Sequence, residues 1–589
     1  MKYDKKKKIM LKYSSTDRVL RIQKRLEYLY SDQASSCLER LEQLIGRYGV
    51  GIKTNTDNQP SWDQHDAFLI TYGDMVSAGA ETPLSTFKRF LDERVLGALN
   101  TVHILPFYPY SSSDDGFSVI DYRAVNSDYG TWDDIETLSQ TYRLMFDLVV
   151  NHVSSKSPWF KDYQTGMAPA RHYFIEMDPD TDLSEVTRPR SSPLLTPTQT
   201  PDGEKHVWTT FSEDQIDLNV QNPDLFFEML DILFYYISKG ARVIRLDAIA
   251  FLWKKIGTTC LHLPETHEVV KLLRDIFELV APDAMIITET NVPHEENISY
   301  FGDGDEAHMV YQFSLPPLLM HALQTGDTTY LTTWANSLGD LPPKCTYFNF
   351  TSSHDGIGVR PLQGLIPDKE VKAILKRVEA LGGVISMKQN SDGSESPYEL
   401  NITYFNALGD GGEKEPSDLH IARFMCSQTV ALAFQGIPAV YFNCLIGAQN
   451  NLAGIKKTGR ARTINRGKWD YAELNDHLDN KNTVHAQVYH EYIRLLEIRK
   501  QHSAFHPDGL QKIWKINSEI FVLERTSPDG SETILSMSNF TSKTLEIEVR
   551  NHIPSLAKSR KWIDLISDKP WDSKNGTLTL KPYQTYWLT

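Results

Sequence analysis

The chain has 589 residues, 41% of them apolar and 23% charged, with a formal net charge of −15. That balance belongs to a folded chain long enough to bury a large core without metal or disulfide staples, and it excludes collagen-like, coiled-coil and wholly disordered architectures. The acidic excess disfavours nonspecific association with nucleic acid or an anionic membrane.

Lys5 to Lys8 form the basic run at the start of the chain and read as a solvated tail. No long apolar segment follows them, so they do not read as the front of a signal peptide. Across residues 18–50, Leu20, Ile22, Leu26, Leu29, Leu38, Leu41, Leu44 and Ile45 recur mostly near three- and four-residue spacing. This periodicity predicts a helical extension over 1–65, closed by a polar linker through Asp57, Gln59 and Pro60.

From residue 66 short apolar runs alternate with helical patterns. The runs are Ala67–Tyr72, Thr101–Leu105, Leu144–Val150, Val243–Leu246, Ala284–Ile287, Met309–Phe313, Tyr347–Phe350 and Ala439–Phe442. Eight strands of this kind with helices between them predict an α/β fold, a (β/α)₈ barrel with insertions. Asn222, Pro223 and Gly240 suit the cap, first turn and end of one helix; a second spans about Glu265 to Val280 and stops before Pro282. The barrel is assigned to 66–154, 216–356 and 403–505. Its interruptions are 155–215, which carries Pro179, Pro189, Pro193, Pro197 and Pro201, and 357–402, which carries Gln389 to Ser394. Both follow barrel strands and read as long loops over the catalytic mouth. Thr429 to Ala448 is the most apolar stretch, but Gln435, Gly436, Pro438 and Asn443 make it helix, loop and strand rather than a membrane span. Residues 506–589 read as a small antiparallel β domain, with strands at Ile520–Leu523, Ile534–Met537 and Leu545–Val549 and a hairpin signal at Asp529–Gly530.

Cys37, Cys260, Cys345, Cys426 and Cys444 are scattered, without zinc spacing or a disulfide framework, which fits a reducing cytoplasm. No acidic cluster has calcium-loop spacing, so no metal is expected.

Chemistry in such a barrel gathers where strands run out at the C-terminal face. The fourth strand ends Arg245–Leu246–Asp247, and side chains two apart share a face, so the cation is expected to hold Asp247 ionised as a nucleophile. The fifth ends on Glu289, where partial desolvation favours a retained proton. The seventh is followed by His354–Asp355–Gly356. Taken singly, these are equally a structural ion pair, a solvent-facing glutamate and a loop anchor. Together they place three carboxylates at one mouth, the arrangement for glycosyl transfer with retention.

Asp147 to His152, the Arg245–Asp247 strand, Glu289 and His354–Asp355 resemble the signature regions of the α-amylase superfamily (glycoside hydrolase family 13). The resemblance implies Asp247 as nucleophile, Glu289 as acid/base and Asp355 as transition-state stabiliser, with His152, Arg245 and His354 around a glucosyl ring. Asp114–Phe117, His354–Val359 and Ile464–Arg466 are similar to the sucrose phosphorylase subfamily, which implies that Asp114 and Arg466 hold glucosyl hydroxyls, Phe117 and Phe211 wall the pocket, and Gln215 lines it. Thr187–Thr196, Glu289–His294, Glu306–Phe313 and Ser396–Asn401 resemble most the branch of that subfamily acting on glucosylglycerate, whose members carry an N-terminal extension. The likeness leaves fructose 6-phosphate, glycerol and fructose as rival acceptors, and a hydrolase, a transglucosidase or a non-catalytic binding protein as rival classes. It implies small-molecule substrates (α-glucoside, phosphate and glycerate), with phosphate a co-substrate and no cofactor. It also implies Arg190 for phosphate, Tyr398 in the acceptor loop, and Asn291 and Phe251 bordering the acceptor. Glycerate is itself anionic, and Arg190 could serve both anions in turn, because phosphate enters after glycerate leaves; Arg188 and Lys388 are further candidates for its carboxylate. Glu399 beside an anion site fits only if it binds hydroxyls or pairs with a lysine. Oligomeric state stays open, a homodimer included.

Overall fold

Eight parallel strands close into a barrel in the computed structural model, which describes residues 16–49, 62–111, 114–390, 393–410, 417–548, 552–553, 556, 562–571 and 577–589. They are β1 (Phe68–Thr71), β2 (Thr101–Ile104), β3 (Arg143–Leu148), β4 (Ala241–Leu246), β5 (Met285–Thr288), β6 (Met309–Tyr311), β7 (Thr346–Phe350) and β8 (Ile437–Tyr441). Each lies in or within one or two residues of a predicted run. Neighbours in sequence are neighbours in space, and β8 closes the ring on β1. The strands are apolar because both faces are covered: Val243, Ile244, Ile286 and Ile287 are fully buried.

The helix between β3 and β4 spans Pro223–Ser238, and Asn222 accepts from the Asp224 N–H as its cap. The helix before β5 spans Pro264–Val280. The apolar stretch around residue 430 is a buried helix, Asp418–Ala433, followed by β8.

The N-terminal helices, Thr16–Tyr30 and Ala34–Tyr48, are more than an appendage. Ile22, Leu26, Cys37 and Leu41 join the same hydrophobic core as the barrel. Their polar edge is ion-paired to the outer barrel helices. Arg25 meets Asp275 at 2.6 Å and Glu268 at 3.0 Å, and Arg47 meets Asp231 at 2.8 Å. Lys5–Lys8 and the linker Asp57–Pro60 lie outside the described residues.

The two interruptions hold more secondary structure than loops. Residues 155–215 contain the helix Pro158–Gln164 and a two-stranded hairpin, Leu195–Thr200 against Gly203–Trp208. Pro197 concealed that hairpin in the sequence; a ribbon of two edge strands tolerates a missing donor. Residues 357–402 carry the helix Asp368–Ala380 and a sheet of Ile357–Gly358, Glu395–Asn401 and Val384–Gln389. Ser391 and Asp392 of the Gln389–Ser394 stretch, and Val549 of a C-terminal strand, lie outside the described residues. The C-terminal part forms a six-stranded sheet and a two-stranded one, with Ile520–Thr526 and Thr533–Asn539 joined at Asp529–Gly530.

Candidate active site

The register of β4 and β5 places the first two acids. Thr288 lies opposite Leu246, so the residues that follow, Glu289 and Asp247, leave adjacent strands side by side. Both meet one guanidinium: Arg245 Nη1 is 2.7 Å from Asp247 Oδ1, and Nη2 is 3.9 Å from Glu289 Oε2. Glu289 Oε2 also accepts the Ala248 N–H at 3.1 Å. Ala248 has φ 50° and ψ 31°, a left-handed conformation that costs a non-glycine residue about 1–2 kcal/mol. That turn directs the chain away immediately after Asp247.

Behind the pair, Asp147 on β3 stands opposite Arg245 and accepts from its Nη1; its other oxygen lies 2.7 Å from His103 Nε2. All three side chains are buried.

Burial pushes the Asp247 and Glu289 carboxyls up. Arg245 pulls both down, but Glu289 and Asp147 add like charge around Asp247, and Asp355 does so around Glu289. The guanidinium opposes that rise at Asp247, as its spacing in the sequence predicted, without cancelling it. Arg245 is also bound to Asp147, so Asp247 does not have it alone. Both carboxyls are thereby shifted toward their protonated forms.

Across the pocket stand Asp114, Asp355 and Glu399. Arg462 binds Glu399 with both Nη2 (2.6 Å) and Nε (3.1 Å), and its Nη1 reaches Asp355 at 2.8 Å and Asp114 at 3.2 Å. Burial favours the neutral form of Asp355, but Arg462 and Arg466 overcome it and hold the carboxyl well below the usual range. Asp114 is likewise held down against burial by Arg462 and Arg466. Burial presses His354 down to about 3, so its imidazole is neutral where it stacks on Phe117, ring centres 4.9 Å apart. Gly116 makes the Asp114–Phe117 turn possible: at its φ of 107° a Cβ would come 2.6 Å from the Pro106 carbonyl oxygen.

The pocket between these walls has an empty volume of about 970 Å³ with its open mouth included, ample for a disaccharide-sized ligand. Residues 95–357 match the family model described as alpha amylase, catalytic domain. The chain is 45% identical to the glucosylglycerate phosphorylase of Escherichia coli (strain K12) over 552 residues, 93% of this chain and 96% of that one. The chain belongs to the α-amylase family. The sucrose-acting members are more distant. The sucrose phosphorylase of Streptococcus mutans is 29% identical over 493 residues, 81% of this chain and 96% of the relative. The crystal structure of sucrose 6F-phosphate phosphorylase from Thermoanaerobacter thermosaccharolyticum superposes with a TM-score of 0.70 at 24% identity, covering 81% of this chain and 94% of that one, and shares the fold.

In this α-amylase family member Asp114, Phe117, His152, Phe211, Gln215, Arg245, His354, Asp247, Glu289 and Asp355 all line the pocket. So do Arg190, Tyr398, Phe251, Asn291 and Glu399. His152 Nε2 lies 3.1 Å from Gln215 Nε2 and 3.0 Å from the Phe117 carbonyl. Three expected residues do not line it. Arg466 stands behind Asp114, tied to Asp115 at 2.8 Å and to the His354 carbonyl at 2.9 Å, so it positions that acid. Arg188 folds onto its own loop and donates to the Ser192 carbonyl. Lys388 lies on the strand Val384–Gln389, beside Arg360 and Glu296. Glu399 pairs with an arginine, not a lysine, and both its oxygens are occupied. Arg462, Arg360, His103 and a role for Asp147 were not read from the sequence. The run Arg460, Arg462, Arg466 after β8 was the available sign of the first.

Glu289→Gln tests the proton-holding pair. A carboxyl raised by burial leaves the native state less stable as pH climbs from the unfolded carboxylate range through the folded pKa, and costs nothing below it. The variant is expected to melt above the wild type at about pH 8, with the difference closing near about pH 4. Thermal denaturation followed by circular dichroism measures this; a lower melting point at the alkaline end would mean that the Glu289 charge stabilises the fold.

Proposed function

We propose that the protein is a retaining glycoside phosphorylase that reversibly converts 2-O-α-D-glucosylglycerate and phosphate into α-D-glucose 1-phosphate and D-glycerate. One observation carries this reading: Asp247 and Glu289 share one guanidinium at the mouth of a barrel 45% identical over 93% of its length to a glucosylglycerate phosphorylase.

The shared proton resides on Glu289 at the moment of reaction, since Arg245 lies on Asp247 at 2.7 Å and only 3.9 Å from Glu289. The Asp247 carboxylate attacks the anomeric carbon. The bond from that carbon to the glycerate oxygen breaks, and Glu289 gives its proton to the departing oxygen. Phosphate then attacks the β-glucosyl ester, Glu289 takes the phosphate proton, and Asp247 leaves as carboxylate. Two inversions return the α configuration. Asp355, held ionised by Arg462, stabilises the positive charge that develops on the ring.

Phosphate must outcompete water, which requires a cation on the acceptor side. Arg190 fits that role. Its guanidinium lies 5.1 Å from the Tyr398 ring centre and 6.0 Å from that of Phe211, and makes no hydrogen bond among the described residues. Stacking fixes the plane of the fork and leaves its donors for an anion. Arg190→Ala is expected to raise the KM for phosphate at least about tenfold more than it slows glucosyl transfer to water. Equal effects in steady-state assays would reduce Arg190 to a loop anchor.

The chemistry runs on these side chains and phosphate, with no cofactor in the reading. Five buried free cysteines support a reducing compartment, the cytoplasm. Among the described residues no helix is long and apolar enough to cross a membrane. The deciding test supplies glucose 1-phosphate with D-glycerate, glycerol, fructose or fructose 6-phosphate in turn and measures phosphate release. Glycerate is expected to give the fastest release; a faster neutral or phosphorylated acceptor would move the protein to another branch of the family.

A further inference from the structure

A second guanidinium in the pocket is almost unspent. Arg360 lines it, yet its side chain is only 15% exposed and makes no hydrogen bond among the described residues. The carboxylate facing it, Glu296, is 3.8 Å away, 43% exposed, and also 3.2 Å from His262 Nε2. Arg462, in the same pocket, is saturated by three acids. A largely buried guanidinium without matching acceptors is costly, and a cavity wall is where a ligand supplies them.

Two neighbours add to the case. Lys388 stands beside Arg360: burial lowers its pKa, Arg360 lowers it further, and Glu296 opposes both. Lys388 thus adds a second positive charge near the half-exposed Glu296. On the same wall, Asn291 Oδ1 is buried without a hydrogen-bond partner. It is pressed against Gly358, where a Cβ would come within 2.5 Å of it. Gly358 is two residues before Arg360 and Asn291 two residues after Glu289, and all four line the same pocket.

The reaction handles two anions with different needs. Arg190 is close enough to Asp114, at the glucosyl site, to help keep it ionised. Its place is beside the ring that phosphate attacks. Phosphate and the organic acid meet Glu289 in turn, and the organic acid adds a planar carboxylate and a further hydroxyl, which call for a second fork and an acceptor.

We infer that Arg360 is the carboxylate anchor of the acceptor subsite, taking a 2-hydroxy acid through its planar fork while Asn291 receives a hydroxyl, and that phosphate relies on Arg190. A guanidinium presents parallel donors that match a carboxylate, which neither glycerol nor fructose possesses. The inference rests on the phosphorolytic reading with glycerate.

The test uses the full-length enzyme as wild type, Arg360→Gln and Arg360→Lys. The KM for D-glycerate is measured with glucose 1-phosphate as donor, the KM for phosphate in phosphorolysis, and transfer to glycerol as a neutral reference. Arg360→Gln is expected to raise the glycerate KM at least about tenfold and to lower preference for glycerate over glycerol by a similar factor, while the phosphate KM moves less than about threefold. Arg360→Lys keeps the charge, loses the fork and falls between. Equal rises for glycerate and phosphate, or an unmoved glycerate KM in both variants, overturn the assignment. A wild-type enzyme that does not use glycerate at all overturns instead the reading of the reaction on which the assignment rests.

Discussion

Asp247→Asn is expected to lower glucose 1-phosphate formation by on the order of 10⁴-fold or more while leaving the fold intact. Asparagine has nearly the same volume but is no nucleophile, so the glucosyl ester cannot form. The fold survives because Arg245 keeps Asp147, its partner on the adjacent strand. Loss of a carboxyl that burial pushes upward removes a charge the interior disfavours, so the melting temperature should not fall near neutral pH. Intact-mass spectrometry of enzyme quenched during turnover should reveal a glucosyl adduct in the wild type and none in the variant. Full turnover by the variant, or an adduct on another residue, would remove Asp247 from the chemistry.

The second large effect is predicted for Arg462→Ala. The Glu399 side chain is 3% exposed, and both of its oxygens bind this arginine. Removing the partner of a buried carboxylate typically costs about 3–5 kcal/mol. Asp355 and Asp114 lose the cation that contributes most to holding them ionised. The variant should therefore be both less stable and severely slowed. Adding Glu399→Gln removes the orphaned charge and should restore much of the stability in denaturant titration, without restoring activity. If the double variant is no more stable than the single one, Glu399 is not the source of the loss.

Much of the barrel was legible because parallel strands buried on both faces leave apolar runs that little else in a folded chain imitates. The candidate carboxylates Asp247 and Glu289 were legible because each directly follows such a run, whereas Asp355 stands in the turn beyond its strand. What escaped notice depends on contacts between distant segments. Arg462 is 63 residues from Glu399 and 348 from Asp114, and no local pattern announces which acids it will meet. The surroundings of Asp247 were half legible for the same reason: the i, i+2 spacing shows Arg245, but not that Asp147 from the neighbouring strand also draws on the guanidinium. Arg360 directly follows the His354–Val359 motif, which was read for His354 and Asp355, and its shortage of acceptors is visible only once the pocket closes around it.

The segment from Arg460 to Arg466 has a consequence for assembly. The acids it neutralises come from the loop after β2, the turn after β7 and the second insertion, all earlier in the chain than β8. A nascent polypeptide that has completed seven strands carries those negative charges without their counterions. Sealing the barrel and settling the sugar pocket thus belong to one cooperative event late in synthesis. Halves produced by dividing the gene between β7 and β8 should find each other by long-range attraction and recombine more slowly as ionic strength rises.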